Sequence, residues 1–178
     1  MGLDMYLTKT KRVENLTAEQ YAEVNNSLPW EENDYDKKSG LKKLNPEIEG
    51  VEQLDESVSL RGSSSFKYLT IKEDLGYWRK VNSVHNWFVN NCQDGIDECQ
   101  LTEVSREDLE ELLEICYNVV HKTSAPEDVL PPSSGFFFGS TSTDGYYMDD
   151  IKETVSILEK AITKTDWEKE IVFYQSSW

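Results

Sequence analysis

Residues 76–99, GYWRKVNSVHNWFVNNCQDGIDEC, are the stretch whose reading decides the fold. Tyr77, Val81, Val84 and Phe88 recur at spacings of three and four, as do Trp78, Asn82 and His85 on the neighbouring stripe. That period is the signature of a helix with one apolar face, predicted over 76–90. The first stripe would be buried and the second would lie at the edge of the core. Residues 90–95 then supply a polar exit, with Gly95 free to take the left-handed conformation that ends helices. A helix that sets polar side chains beside its buried face suggests a pocket or a recognition edge, without naming a reaction.

Working outward, MGLDMYLTKTKR at 1–12 alternates with period two, so that Leu3, Met5 and Leu7 share one side of a strand and Asp4 and Tyr6 the other. A helix over 15–26 starts at Thr17, where Thr followed three residues later by Gln20 makes a capping box. Residues 27–62, with Pro29, Pro46 and scattered charge, read as loops with a short strand near 48–54, or as a mobile insertion. Its lysines Lys37, Lys38, Lys42 and Lys43 are a compact basic patch without interleaved aromatics, which reads as a solvated loop rather than a nucleic-acid contact.

A strand follows at 65–71. Ser105 with Asp108 caps the clearest helix, whose stripe of Leu109, Leu112, Leu113, Cys116 and Val120 leaves Glu107, Glu110, Glu111 and Glu114 outward. Phe136 to Phe138 read as a short apolar strand. The Ser-Thr-Ser-Thr-Asp-Gly run after them turns the chain or wraps a ligand, and lacks the lysine and glycine spacing of a phosphate loop. A further helix spans 146–162, and a strand lies at 170–174. Strands at both ends and in the middle, interrupted by three substantial helices, predict a single α+β domain over 1–178. Its one antiparallel or mixed sheet would be covered by those helices. No repeat or dinucleotide fingerprint is present in the sequence.

The formal charge is −16, carried by 34 acidic and 18 basic residues. It is uneven: residues 1–89 hold 12 basic and 15 acidic residues, residues 90–178 only 6 and 19. The later half should repel phosphate backbones and attract basic surfaces, which disfavours direct nucleic-acid binding and favours a basic protein partner. Glu107, Glu110, Glu111, Glu114, Asp149 and Asp150 are the expected partner-binding residues, although acidic surfaces more often serve solubility alone. No apolar run approaches the ~18 residues of a membrane span, and the first residues lack a basic-then-apolar signal order. The expected setting is cytoplasmic, with no membrane partner. Three cysteines, Cys92, Cys99 and Cys116, cannot all pair in one chain and fit a reducing compartment. With only two histidines, they make no zinc spacing, and no metal or cofactor is assigned.

For ligand binding, the candidates are Asp4, Trp78, Arg79, Asn82, His85 and Gln175, gathered in one concave site in which His85 would be acid or base. A helical histidine beside aromatics is more often a satisfied core group, so no residue is assigned as catalytic. Cys92 assisted by His85 is a weaker nucleophile candidate, because no oxyanion donor can be picked out. The segments GLDMYL at 2–7, GYWRKVNSVHNWF at 76–88, GFFFGST at 135–141 and FYQSSW at 173–178 resemble a family of short uncharacterised proteins encoded by phages, prophages and bacteria. The resemblance implies a phage context, the host-cell cytoplasm and an accessory role against a host factor. It carries no catalytic residue with it. Three readings follow: an acidic interaction protein, such as an inhibitor of a host defence or nucleic-acid-processing protein; a small-ligand-binding protein or enzyme at the His85 pocket; and a homo-oligomer joined by aromatic edges.

Overall fold

The computed structural model describes residues 2–30, 34–35, 40–135 and 138–178. In chain order it contains β1 (Asp4–Lys11), α1 (Ala18–Ser27), α2 (Gly40–Leu44), a 3-10 helix (Val51–Ser57), β2 (Ser59–Gly62), β3 (Lys67–Thr70) and β4 (Glu73–Arg79). Then follow α3 (Asn82–Cys92), β5 (Thr102–Val104), α4 (Arg106–Val120), α5 (Pro126–Val129), α6 (Gly145–Lys164) and β6 (Glu170–Ser177). The fold is α+β: a four-stranded antiparallel sheet in the order β4-β1-β6-β5, and a β2-β3 hairpin as a second, small sheet. β5 pairs with β6 from Thr102 opposite Tyr174 to Val104 opposite Val172.

The chain divides into two compact units. The first comprises Met1–Thr8, Asp74–Trp167 and Val172–Trp178; the second comprises Lys9–Glu73 and Glu168–Ile171. The first is built on one hydrophobic cluster. Leu3, just before β1, and Met5 and Leu7 of β1, with Val172 and Tyr174 of β6, meet Val84 and Phe88 of α3, Leu109, Leu112 and Cys116 of α4, and Ile151 and Leu158 of α6. The predicted stripe of α4 lies on its buried face, α6 buries Tyr147, Ile151, Leu158 and Ala161, and the two helices pack along one another. Ser105 caps α4 by accepting from the Asp108 N–H at 3.0 Å, while Asp108 accepts from the Ser105 N–H at 2.8 Å. This is the reciprocal pattern of a capping box, with Asp in the place usually held by Glu or Gln.

The second unit has a core of its own, in which Val24, Leu41, Val51 and Leu54 are fully buried. Its α1 begins at the box read from the sequence, with the Gln20 N–H on Thr17 Oγ1 and the Thr17 N–H on Gln20 Oε1. The segment 27–62 contains α2, the 3-10 helix and β2. The strand expected near 48–54 is a correction: Val51–Ser57 is a 3-10 helix whose Val51 and Leu54, three apart, both turn into this core, and the strand comes after it at Ser59–Gly62. Lys37 and Lys38 of the basic patch, and Phe136 and Phe137 of the short apolar strand, lie outside the described residues; Phe138 is in a turn.

The larger correction concerns the helix predicted over 76–90. Residues up to Arg79 are β4, and α3 begins only at Asn82. The hinge is Lys80, in the left-handed region at φ 59°, from which neither strand nor helix can continue. Gly76 sits on β4 where any Cβ would lie 2.2 Å from Ile157 Cγ2 of α6, so glycine here permits close strand–helix packing rather than starting a helix. Tyr77 is thereby turned outward and Trp78 inward, while Val84 and Phe88 keep the buried stripe on α3.

Candidate functional site

The six proposed ligand residues all belong to the first unit, and the structure distributes them over several environments. On β1 and β4, Asp4 Oδ1 accepts from the Tyr77 hydroxyl and from Arg79 Nη1 at 3.4 Å, with the Tyr6 and Tyr77 rings 5.5 Å apart. The Asp4 carboxylate holds the Tyr77 phenol above its ordinary pKa by accepting a hydrogen bond from the protonated hydroxyl. Arg79 and Tyr77 are exposed, so this is a surface cluster. Trp78 is buried, and its indole N–H donates to Thr154 Oγ1 of α6 at 3.0 Å. Its predicted ligand role meets a side chain already packed and bonded.

His85 is buried between two partners, the Tyr174 hydroxyl at 2.7 Å from Nδ1 and Asp97 Oδ2 at 3.0 Å from Nε2. A carboxylate can only accept, so in the neutral imidazole Nε2 carries the proton and Nδ1 accepts from the phenol. Asp97 also accepts from the Trp178 indole N–H at 3.2 Å, and Phe138 lies edge-on to His85. Tyr174 is pushed well above the ordinary phenol range, first by burial and then by the charge of Asp97. It is a proton-retaining bracket for His85, not a base. Gln175 Nε2 donates to the Cys99 carbonyl at 3.1 Å, tying β6 to the same 96–100 segment. Burial raises the Cys92 and Cys116 thiols to about 12, which leaves almost no thiolate near neutrality and works against the Cys92 nucleophile.

Asn82 is a clamp. Its Nδ2 donates to the carbonyls of Phe138 at 3.0 Å and Ser140 at 2.8 Å, and its Oδ1 accepts from the Ser133 N–H at 3.0 Å. Beside it lies a cavity of about 250 Å³, lined in part by Lys80, Asn82, Ser140, Ser142 and Asp150. The serine-rich segment noted in the sequence therefore does border a cavity. Asn82→Ala is expected to cost about 2 kcal/mol, because one of its partners is a backbone N–H and unpaired buried groups carry a desolvation penalty. Hydrogen exchange should then quicken at residues 133–135 and 138–142 before the rest of the first unit; exchange unchanged there would refute the clamp.

The acidic candidates separate by helix. Glu107, Glu110, Glu111 and Glu114 are exposed on α4, where the one cation, Arg106, pairs with Glu110 at 2.7 Å. On α6, Asp149 pairs with Lys152 at 3.0 Å. Asp150 is partly buried, and burial, then Glu153 and Asp149, raise its carboxyl pKa. Residues 90–114 contain nine acidic residues and one basic, a net −8 and half of the chain's −16. Half of the net charge thus falls on α4 and the segment ahead of it that carries Asp94, Glu98 and Glu103, while α6 is close to balanced.

Sequence reasoning missed two features of the second unit. Trp30, Phe66 and Tyr68 form an exposed aromatic cluster, with ring centroids 6.1 and 5.9 Å apart along the row. Lys9, Lys11, Arg61, Lys72 and Lys169 line one cavity although they are scattered through the sequence. No local pattern could have joined them. Among the described residues, no helix is long and apolar enough to cross a membrane, and no group of three or more His, Cys, Asp or Glu side chains could hold a metal ion. Compared with protein-family models, curated proteins and solved structures, the chain matches none.

Proposed function

We propose that this chain is an acidic, non-enzymatic interaction protein that docks the α4 face on an Arg- and Lys-rich surface of a protein partner. The observation that carries the reading is the concentration of half the net charge in residues 90–114, with four glutamates exposed along α4. A single-sign surface steers encounter and selects against wrong partners without any catalytic group. The saturated bonding of His85, Asn82 and Trp78 agrees with it, since each is committed to the fold. We place the partner among host defence or nucleic-acid-processing proteins of the bacterial cytoplasm, the phage or prophage setting expected from the GLDMYL, GYWRK, GFFFGST and QSSW segments.

The test is capture of a partner from bacterial lysate, followed by titration of the purified pair across a salt series. Replacing Glu107, Glu110, Glu111 and Glu114 together by Gln keeps helix propensity and removes four charges. Affinity should fall at least about tenfold, which is ~1.4 kcal/mol, and become less salt-sensitive, whereas Asp149→Asn should leave it unchanged. A partner bound equally well by the quadruple variant would remove the proposal. A second reading, small-ligand binding, keeps one specific support: the cavity beside Asn82, with its serine hydroxyls.

A further inference from the structure

The cavity in the second unit has about 460 Å³ of space and is lined by residues of that unit alone, from β1, the end of the 3-10 helix, β2, the turn from β3 into β4 and the start of β6. Five cations, Lys9, Lys11, Arg61, Lys72 and Lys169, face three carboxylates, Glu56, Glu73 and Glu170. In a chain of net −16, this lining is positive by two charges. Its parts are not equivalent. Lys9 is buried and held by Glu170 at 2.9 Å, so that pair is internally neutral. Lys11 reaches Glu56 only at 3.9 Å, and the Glu56 side chain is largely in water, a contact with little hold on either group. Arg61 Nε donates to Ser59 Oγ at 3.3 Å, which sets its guanidinium beside a hydroxyl.

A second observation points the same way. Thr10 also lines the cavity and is 5% exposed, yet its buried Oγ1 has no hydrogen-bond partner among the described residues. A buried hydroxyl without a partner is costly and uncommon. Thr10 shares this lining with the cations and with the hydroxyl-bearing Ser57 and Ser59.

We propose that this cavity binds a small, multiply charged phosphate compound, its oxygens accepting from Arg61, Lys11 and the hydroxyls, within the positive field of the remaining lining. An Arg fork, ammonium groups and hydroxyls together suit an anion with several oxygens and at least two charges. The space lies in the range of small-ligand pockets and exceeds that needed by one inorganic phosphate. A nucleic-acid strand, by contrast, would have to lie against a strongly acidic chain.

Calorimetric titration of the full chain with pyrophosphate, inorganic phosphate, citrate and a single-stranded oligonucleotide at one ionic strength tests this. Pyrophosphate should bind at one site per chain, about tenfold or more tighter than inorganic phosphate or citrate. Arg61→Gln and Lys11→Gln should each weaken it about tenfold. Thr10→Val should weaken it severalfold while leaving the melting temperature of the ligand-free chain unchanged or higher, because an unpartnered hydroxyl contributes nothing to that fold. The Thr10 variant also separates a lost ligand contact from a damaged fold. No pyrophosphate heat at millimolar concentration, affinity indifferent to Arg61 and Lys11, citrate binding as tightly, or the oligonucleotide binding more tightly would each overturn the assignment.

Discussion

Phe88→Ala is expected to destabilise the protein by about 3–5 kcal/mol, a large part of the ~5–15 kcal/mol that holds an ordinary domain together. Phe88 is fully buried on α3 and stacks on Tyr174 of β6, with centroids 4.0 Å apart and planes 13° from parallel. Trp87 stands edge-on to it at 5.3 Å, and Trp78 of β4 lies at 6.2 Å. Truncation to a methyl would remove both the transfer free energy of the ring and its contacts with three aromatic neighbours. Those neighbours cannot collapse freely into the gap. Tyr174 is held by His85, and Trp78 by Thr154, so most of the cavity should persist. Urea denaturation followed by tryptophan fluorescence should show a much lower midpoint with little change in slope, and Phe88→Leu should lose considerably less. Similar midpoints for wild type and Phe88→Ala would mean that the ring stack does not anchor the first unit.

The same stack shows how much of the fold the sequence carried. Alternation in Leu3, Met5 and Leu7, the boxes at Thr17 and Ser105, and the stripe of α4 are local signals. Each depends on residues within a turn or two of one another, and each was legible. The boundary between β4 and α3 was not, because Tyr77, Val81, Val84 and Phe88 fit a helical period although a left-handed lysine interrupts it. Lysine gives no sign of that conformation, and the demand for Gly76 comes from Ile157, 81 residues away in the chain.

The candidate sites divide by the same rule. The α4 glutamates are contiguous and could be read as a surface at once. That Asp149 and Asp150 belong to a more balanced helix required knowing the Lys152 pairing and the burial of Asp150. His85 could be singled out, but its brackets come from Tyr174 and Asp97, on other segments. The basic cavity joins residues from Lys9 to Lys169, so only the folded backbone assembles it. Local pattern therefore reports faces of elements, and long-range pairing decides whether a polar residue on a face is spent on the fold or left for a ligand.

Stability should be insensitive to the buried thiols and phenols below about pH 8.5 and should fall steeply above it. Cys116 lies on the buried face of α4, where burial lifts its thiol to about 12. An unfolded thiol releases its proton near ~8.5. As pH rises between these values the unfolded chain binds fewer protons than the folded one, so unfolding is favoured by up to about 1.4 kcal/mol per pH unit from this residue. Tyr174, raised well above its ordinary value by burial, adds the same sign of slope once pH exceeds an unfolded phenol's ~10. For both groups the contribution is fully present below the unfolded pKa and is lost as pH climbs through the folded one. Urea midpoints from pH 7 to 11 should therefore stay level and then drop. Cys116→Ala should start lower, for want of the sulfur's packing, yet fall less between pH 9 and 10. Parallel pH curves for the two proteins would show that the Cys116 thiol is not held protonated by the core. Tyr174→Phe is the less clean comparison, because it also strips the hydroxyl from His85 Nδ1 and so alters the bracket at every pH.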